Sequence, residues 1–112
     1  MATFISLLTY TQQGAAQLAT TTKRSEAFQR RAEQMGAKVL ATYWTLGAYD
    51  LVHIIEAPDQ KTACALAMSS LALGNVRTHT LPAFSLEEMR DEILPKVQTP
   101  YDLLREGDSP GE

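Results

Sequence analysis

The chain carries a single cysteine, Cys64, among 112 residues, so no internal disulfide can form and stability has to come from a packed core. It also lacks an excess of positive charge. Ten Lys and Arg stand against thirteen Asp and Glu, a formal net charge of −3, which leaves no extended positive field to hold a nucleic-acid backbone. No apolar run approaches the about 18 residues of a membrane-spanning helix, and residues 1–5 place no basic stretch ahead of their apolar side chains. A cytoplasmic protein that does not engage a membrane is the expectation. Histidine is scarce as well. His53 and His79 are the only two, and no HxH, HxxxH, CxxC or HExxH spacing occurs, so neither a metal site within one chain nor a cofactor is expected. There is no GxSxG elbow, no phosphate-binding glycine loop and no dinucleotide fingerprint.

What the chain has is an ordinary globular composition, 45% apolar, with room for one core. A domain of this size buries roughly two-thirds of the surface its unfolded chain exposes, which suffices without covalent staples but leaves self-association attractive. Residues 1–94 are expected to form that domain, and residues 95–112 an extension whose last residues are disordered. Residues 3–10, dense in Phe4, Ile5, Leu7 and Leu8, suit a central strand. Thr22 is placed to cap a helix with Phe28, Ala32 and Met35 on one face and Gly36 as its stop. Lys23, Arg24, Arg30 and Arg31 on that helix read as a solvated face beside Glu26 and Glu33.

Residues 39–46 and 49–56 are rich in β-branched and aromatic side chains, with Gly47 and Ala48 between them as a two-residue type II′ turn. Asp59 caps a second helix whose stripe runs through Ala63, Leu66, Ala67 and Leu71 to Gly74, with Cys64 and Met68 as packing residues. Residues 75–83 return to strand, with Pro82 tolerated on an edge. Ser85 and Glu88 form a capping box, Phe84 and Met89 a hydrophobic staple, for a short third helix over residues 86–94 that Pro95 ends. The order β-α-β-β-α-β plus a C-terminal helix is the ferredoxin-like pattern: an α+β, four-stranded antiparallel sheet with both helices on one face. Its strands are apolar on both parities, which predicts a dimer formed by two sheets meeting face to face.

Three blocks in order, Leu46-Gly47-Ala48-Tyr49-Asp50-Leu51-Val52, Glu56-Ala57-Pro58-Asp59 and Leu73-Gly74-Asn75-Val76-Arg77-Thr78, together with Phe4-Ile5-Ser6-Leu7-Leu8, resemble the signature of the GYD-domain family of small bacterial and archaeal proteins. The resemblance spans residues 3–90, with Ala48 standing between the glycine and the Tyr-Asp pair. It implies a ferredoxin-like domain pairing into a dimeric α+β barrel, in a family whose activity is largely uncharacterised. Relatives by fold include cofactor-free monooxygenases, isomerases and haem enzymes.

Pairing around the turn sets Leu46 opposite Tyr49, Thr45 opposite Asp50, Trp44 opposite Leu51, Tyr43 opposite Val52 and Thr42 opposite His53. One face then carries Thr42, Trp44, Leu46, Tyr49, Leu51 and His53, and the other Tyr43, Thr45, Asp50 and Val52. Asp50 is a candidate general base or ligand anchor; the alternatives are local hydrogen bonding near the turn or a bridge to Arg77. Tyr43 and Tyr49 are candidates to orient a ligand, against a packing role they share with Trp44. His53 and His79 are candidate proton shuttles or haem ligands, against simple sheet histidines. Asn75 and Arg77 are candidates to hold an anion, against a plain helix-to-strand turn. The reading that follows is a homo-oligomeric ligand-binding or interaction module. The competing one is a metal-independent enzyme acting on a small aromatic or carbonyl compound, with Asp50 or a histidine as base and Tyr43 or Arg77 as polariser.

Overall fold

The computed structural model describes residues 1–104. Its elements run β1 (Ala2–Tyr10), α1 (Gln12–Ala16), a 3-10 turn (Leu18–Thr20), α2 (Thr21–Gln34), β2 (Lys38–Trp44), β3 (Leu51–Ala57), α3 (Gln60–Leu73) and β4 (Val76–Ala83). The sheet order is β2-β3-β1-β4 with every pair antiparallel, so β1 is central and β4, with Pro82, is an edge as expected. Alternation along β1 and β3 turns Phe4, Ser6, Leu8, Leu51, His53, Ile55 and Ala57 inward. There Phe4, Ile55 and Ala57 pack with Phe28 and Ala32 of α2 and Ala63 and Leu66 of α3 in one core. Both long helices thus lie on one side of the sheet.

The opposite side carries Ile5, Leu7, Val52 and Ile54, only half-buried, with Tyr43 and Leu81 exposed beside them. Cross-strand pairs confirm that these share a face: Ile5 opposes both Ile54 and Leu81, and Leu7 opposes Val52 and His79.

The hairpin register agrees with the sequence reading at Trp44 to Leu51, Tyr43 to Val52 and Thr42 to His53, and an irregularity at Leu40 shifts it toward the start of β2. The turn itself differs. Both strands stop short of it, the Thr45 amide donates to the Asp50 carbonyl at 2.8 Å, and residues 46–49 loop out with Gly47 at φ +104° and Leu46 fully exposed. Leu46 and Tyr49 are therefore not a ladder pair. The Thr45 hydroxyl donates to the Tyr49 carbonyl at 2.7 Å, satisfying the loop locally in place of a tight turn.

Helix ends show the same mix. Asp59 caps α3 through the Thr62 amide at 2.8 Å, and Gly74, at φ +81°, closes it. Thr22, by contrast, lies inside α2, which starts at Thr21 after the 3-10 turn; the unexpected α1 occupies the polar run before it, capped by Thr11. Cys64, Met68 and Leu71 are exposed on the outside of α3 and do not pack, because the inward face runs through Ala63, Leu66 and Ser70. The capping box at Ser85 and Glu88 has both of its hydrogen bonds, at 3.0 and 2.9 Å. The helix it opens, α4 (Leu86–Glu88), continues as a π turn (Met89–Ile93) and a 3-10 turn (Leu94–Lys96) holding Pro95. A last helix, α5 (Pro100–Leu104), is nucleated by reciprocal bonds between Thr99 and Asp102. The disorder expected for the chain's final residues falls outside the described residues.

Candidate functional site

Helix α2 crosses β1 and β3 with Phe28 at its centre, and the Phe28 ring stacks on the His53 imidazole with centroids 4.5 Å apart and planes at 21°. Residues one turn to either side of Phe28 on that helix face the same way. Arg24, Ser25 and Arg31 therefore line, with His53 and Leu51, a cleft of about 60 Å³ between α2, the sheet and the end of α3. The arginines on this face are half-buried, whereas Lys23 and Arg30 are exposed. The basic cluster is thus split, and half of it is not a solvated face.

His53 is 3% exposed, and its Nδ1 is 3.0 Å from the Thr42 hydroxyl on the neighbouring strand. Burial pushes its pKa down to about 4, so the ring is neutral near pH 7. The other ring nitrogen, Nε2, has no hydrogen-bond partner among the described residues; it carries the proton in the tautomer where Thr42 donates to Nδ1 and accepts in the other.

Ser25 is also buried, and its hydroxyl has no partner. The other two serines in long helices behave differently: Ser69 and Ser70 donate back to the carbonyls four residues earlier, at 2.8 and 3.3 Å. Arg24 donates to the Gln17 carbonyl at 2.7 Å, the Thr20 hydroxyl at 2.6 Å and the Gly14 carbonyl at 3.3 Å, closing the end of α1. The Tyr10 and Thr21 hydroxyls, 2.7 Å apart, share the Trp44 indole N–H at one end of the cleft.

The seven residues singled out from sequence do not converge. His53 and Asn75 reach the cleft, Asn75 also accepting from the Gln13 side-chain amide at 3.0 Å while its carbonyl takes the Thr11 amide. Arg77 and His79 lie on the opposite face of the sheet, so Asn75 and Arg77 cannot hold one anion together. Tyr43 is on that far side too, exposed on an edge strand.

Asp50 belongs to neither group. Its Oδ2 accepts the Tyr10 amide at 2.8 Å while its own amide donates to the Leu8 carbonyl, stitching the end of β1 to the start of β3. The carboxylate is thus structural, but its bond reaches β1, forty positions away, and is not a local one within the turn. No Asp50 to Arg77 bridge forms, and the one salt bridge among the described residues joins Arg90 to Asp91 on the surface.

Tyr49 corrects the face assignment. Released from strand alternation by the loop, it turns to the open side, where its hydroxyl lies 3.3 Å from His79 Nδ1 and the rings meet edge to face. Among the described residues, no group of three or more His, Cys, Asp and Glu is placed to hold a metal, and no helix is long and apolar enough to cross a membrane. Arg24, Ser25 and Arg31 were missed as a group. Their only sequence signal is a shared helix phase with Phe28, which the charges at 23 and 30 obscure.

A four-stranded antiparallel sheet ordered β2-β3-β1-β4 under two helices defines a ferredoxin-like α+β domain. The chain belongs to the GYD domain family, whose sequence pattern matches residues 4–93. It is 36% identical over 90 residues to the "Glutamine synthetase and cystathionine beta-lyase binding protein" of Thermus thermophilus, spanning 80% of this chain and 95% of that protein. A crystal structure of a protein from Thermus thermophilus matches the fold with a TM-score of 0.50 at 25% identity, covering 76% of this chain and 95% of that one.

Proposed function

We propose that this chain is an interaction module that self-associates through the open face of its sheet and offers the outer face of α3 to a partner enzyme. The observation that carries the reading is a pair of apolar surfaces on opposite sides of the domain. On one side, Ile5, Leu7, Val52, Ile54 and Leu81 form a continuous patch across three strands, and apolar strands in water favour pairing with a second such sheet. On the other, α3 has no charged residue after Lys61, and Cys64, Met68 and Leu71 follow one another along its exposed flank. A two-fold dimer closes the sheet faces on each other and leaves both copies of α3 outermost.

The name of the Thermus relative, a binding protein for two enzymes, supports the partner half of this reading. The catalytic alternative loses its preferred base, since the Asp50 carboxylate holds a backbone amide and does not line the cleft.

Sedimentation equilibrium tests the first half: the wild type is expected as a dimer or larger, and Ile54→Lys as a folded monomer. A wild-type monomer at micromolar concentration overturns it. The second half is tested by titrating the protein onto immobilised glutamine synthetase from its own source. Binding is expected for the wild type and lost in Met68→Glu with the dimer intact. Equal binding by both proteins, or by neither, overturns it.

A further inference from the structure

We infer that the cleft under α2 is a binding site for a small organic carboxylate, with Arg31 and Ser25 as anion ligands and His53 as a donor at its floor. This goes beyond the interaction role and is independent of it, because the cleft lies on the helix side of the sheet, away from the proposed dimer face, and is not lined by Cys64, Met68 or Leu71 of the proposed partner face.

Three features of the site point the same way. First, the cleft is polar where it need not be. Ser25 is 8% exposed with an unpartnered hydroxyl, although the carbonyl of Thr21 lies one turn back and the two comparable serines of α3 take that option. A buried hydroxyl without a partner is costly, so retaining one beside a cavity favours a ligand that accepts from it.

Second, the charges are one-sided. Arg24 and Arg31 line the cleft, no Asp or Glu does, and neither arginine pairs with a carboxylate among the described residues. Arg24 is largely occupied by α1. The Arg31 guanidinium has no hydrogen-bond partner among the described residues, which leaves its planar fork free for a bidentate carboxylate. Third, the remaining wall is apolar. Phe28, Leu51 and Leu8 are suited to a short carbon stem but not to a second charge. A cleft with about 60 Å³ of space suits an acid of about four to six non-hydrogen atoms. Neutral His53 adds a hydrogen bond without needing a counter-ion, since a carboxylate selects the tautomer in which Thr42 donates to Nδ1 and Nε2 carries the proton.

The test uses the full chain, labelled with nitrogen-15, in a carboxylate-free buffer near pH 7. Acetate and pyruvate are titrated against acetamide, which has the shape of acetate without its charge. Both acids are expected to shift the His53 ring resonances and the amides around Ser25 and Arg31 with Kd of about 1 mM, and acetamide to bind at least about tenfold more weakly. Arg31→Ala is expected to weaken acetate about tenfold, Arg31→Lys to recover part of that, and exposed Arg30→Ala to change nothing. Ser25→Ala, which suits a helix and keeps the fold, is expected to weaken acetate several-fold. No response to either acid at about 10 mM, where such a Kd predicts near-saturation, would mean the cleft holds water alone and would overturn the inference. So would equal binding of acetate and acetamide, or equal losses from Arg30→Ala and Arg31→Ala.

Discussion

Replacing Gly14 by alanine should destabilise this protein, although the same change in a free helix would stabilise it. Gly14 lies in α1 at its closest approach to the turn between α3 and β4. A Cβ there would sit 2.8 Å from the Asn75 carbonyl carbon and 3.1 Å from its Cα, with the carbonyl oxygen nearer still. All three are backbone atoms, so no side chain can swing aside. The two segments must part by about 1 Å or more to restore ordinary contact. That movement breaks the bonds that join them, Thr11 N–H to the Asn75 carbonyl at 3.0 Å and the Thr11 hydroxyl to the Gly74 carbonyl at 2.6 Å. Each is worth about 1 kcal/mol net, and overpacking adds about 1–3 kcal/mol. Helix propensity returns at most about 1 kcal/mol.

The net expectation is a loss of about 2–4 kcal/mol, out of a total of the order of 10 kcal/mol for a domain of this length. Urea unfolding followed by far-ultraviolet circular dichroism should show the midpoint falling by about 1–2 M with an unchanged slope. Gly47→Ala is the control. No atom lies within 4 Å of its Cβ position, and only the positive φ of 104° is strained, so its cost should stay near about 1 kcal/mol. A Gly14→Ala protein as stable as the wild type would refute the reasoning, because it would show that the contact yields without cost.

Two further outcomes follow from the site. His53 is held at a pKa of about 4 by burial, against about 6.5 for a free imidazole. The unfolded chain therefore takes up a proton that the folded one refuses, and stability should fall as pH drops from about 6.5 toward 4, by up to roughly 3 kcal/mol. Urea titrations at pH 7 and pH 5 should show about 2 kcal/mol of that loss in the wild type and less in His53→Gln; identical pH dependence in both would sink the assignment. Asp50→Ala leaves the Tyr10 amide without its acceptor and should cost about 1–3 kcal/mol, while Asp50→Asn, which keeps a carbonyl there, should cost less. If both variants were as stable as the wild type in thermal unfolding, the Asp50 bond would not be structural.

How far the sequence reveals the fold and the site depends on whether a feature is set locally or by the way elements meet. The hairpin register, read by pairing outward from Gly47 and Ala48, holds near Leu51 to His53 although the turn is not the tight one those two residues suggest, because alternation there buries Leu51, His53 and Ile55. Register here follows from burial, with the loop left to adjust. The caps at Asp59, Gly74 and Ser85 were readable for the same reason, since each is satisfied within a few residues.

Tyr49 went to the unexpected face because parity ends where the ladder ends, two residues earlier than the β-branched pattern implies. Arg24, Ser25 and Arg31 were hidden differently. A helix surface with charges at 23, 24, 30 and 31 reads as solvated under any count of residues, and only the phase imposed by Phe28 on His53 turns two of the four inward. His53 was named from its residue type and its separation from Asp50 follows from strand parity, but its company with Ser25 comes from α2 lying across β3, a tertiary fact with no short-range trace. The candidate site is thus built from residues that local patterns assign to solvent or to packing. The buried, unpartnered Ser25 hydroxyl is the feature that separates a ligand cleft from an ordinary seam between helix and sheet.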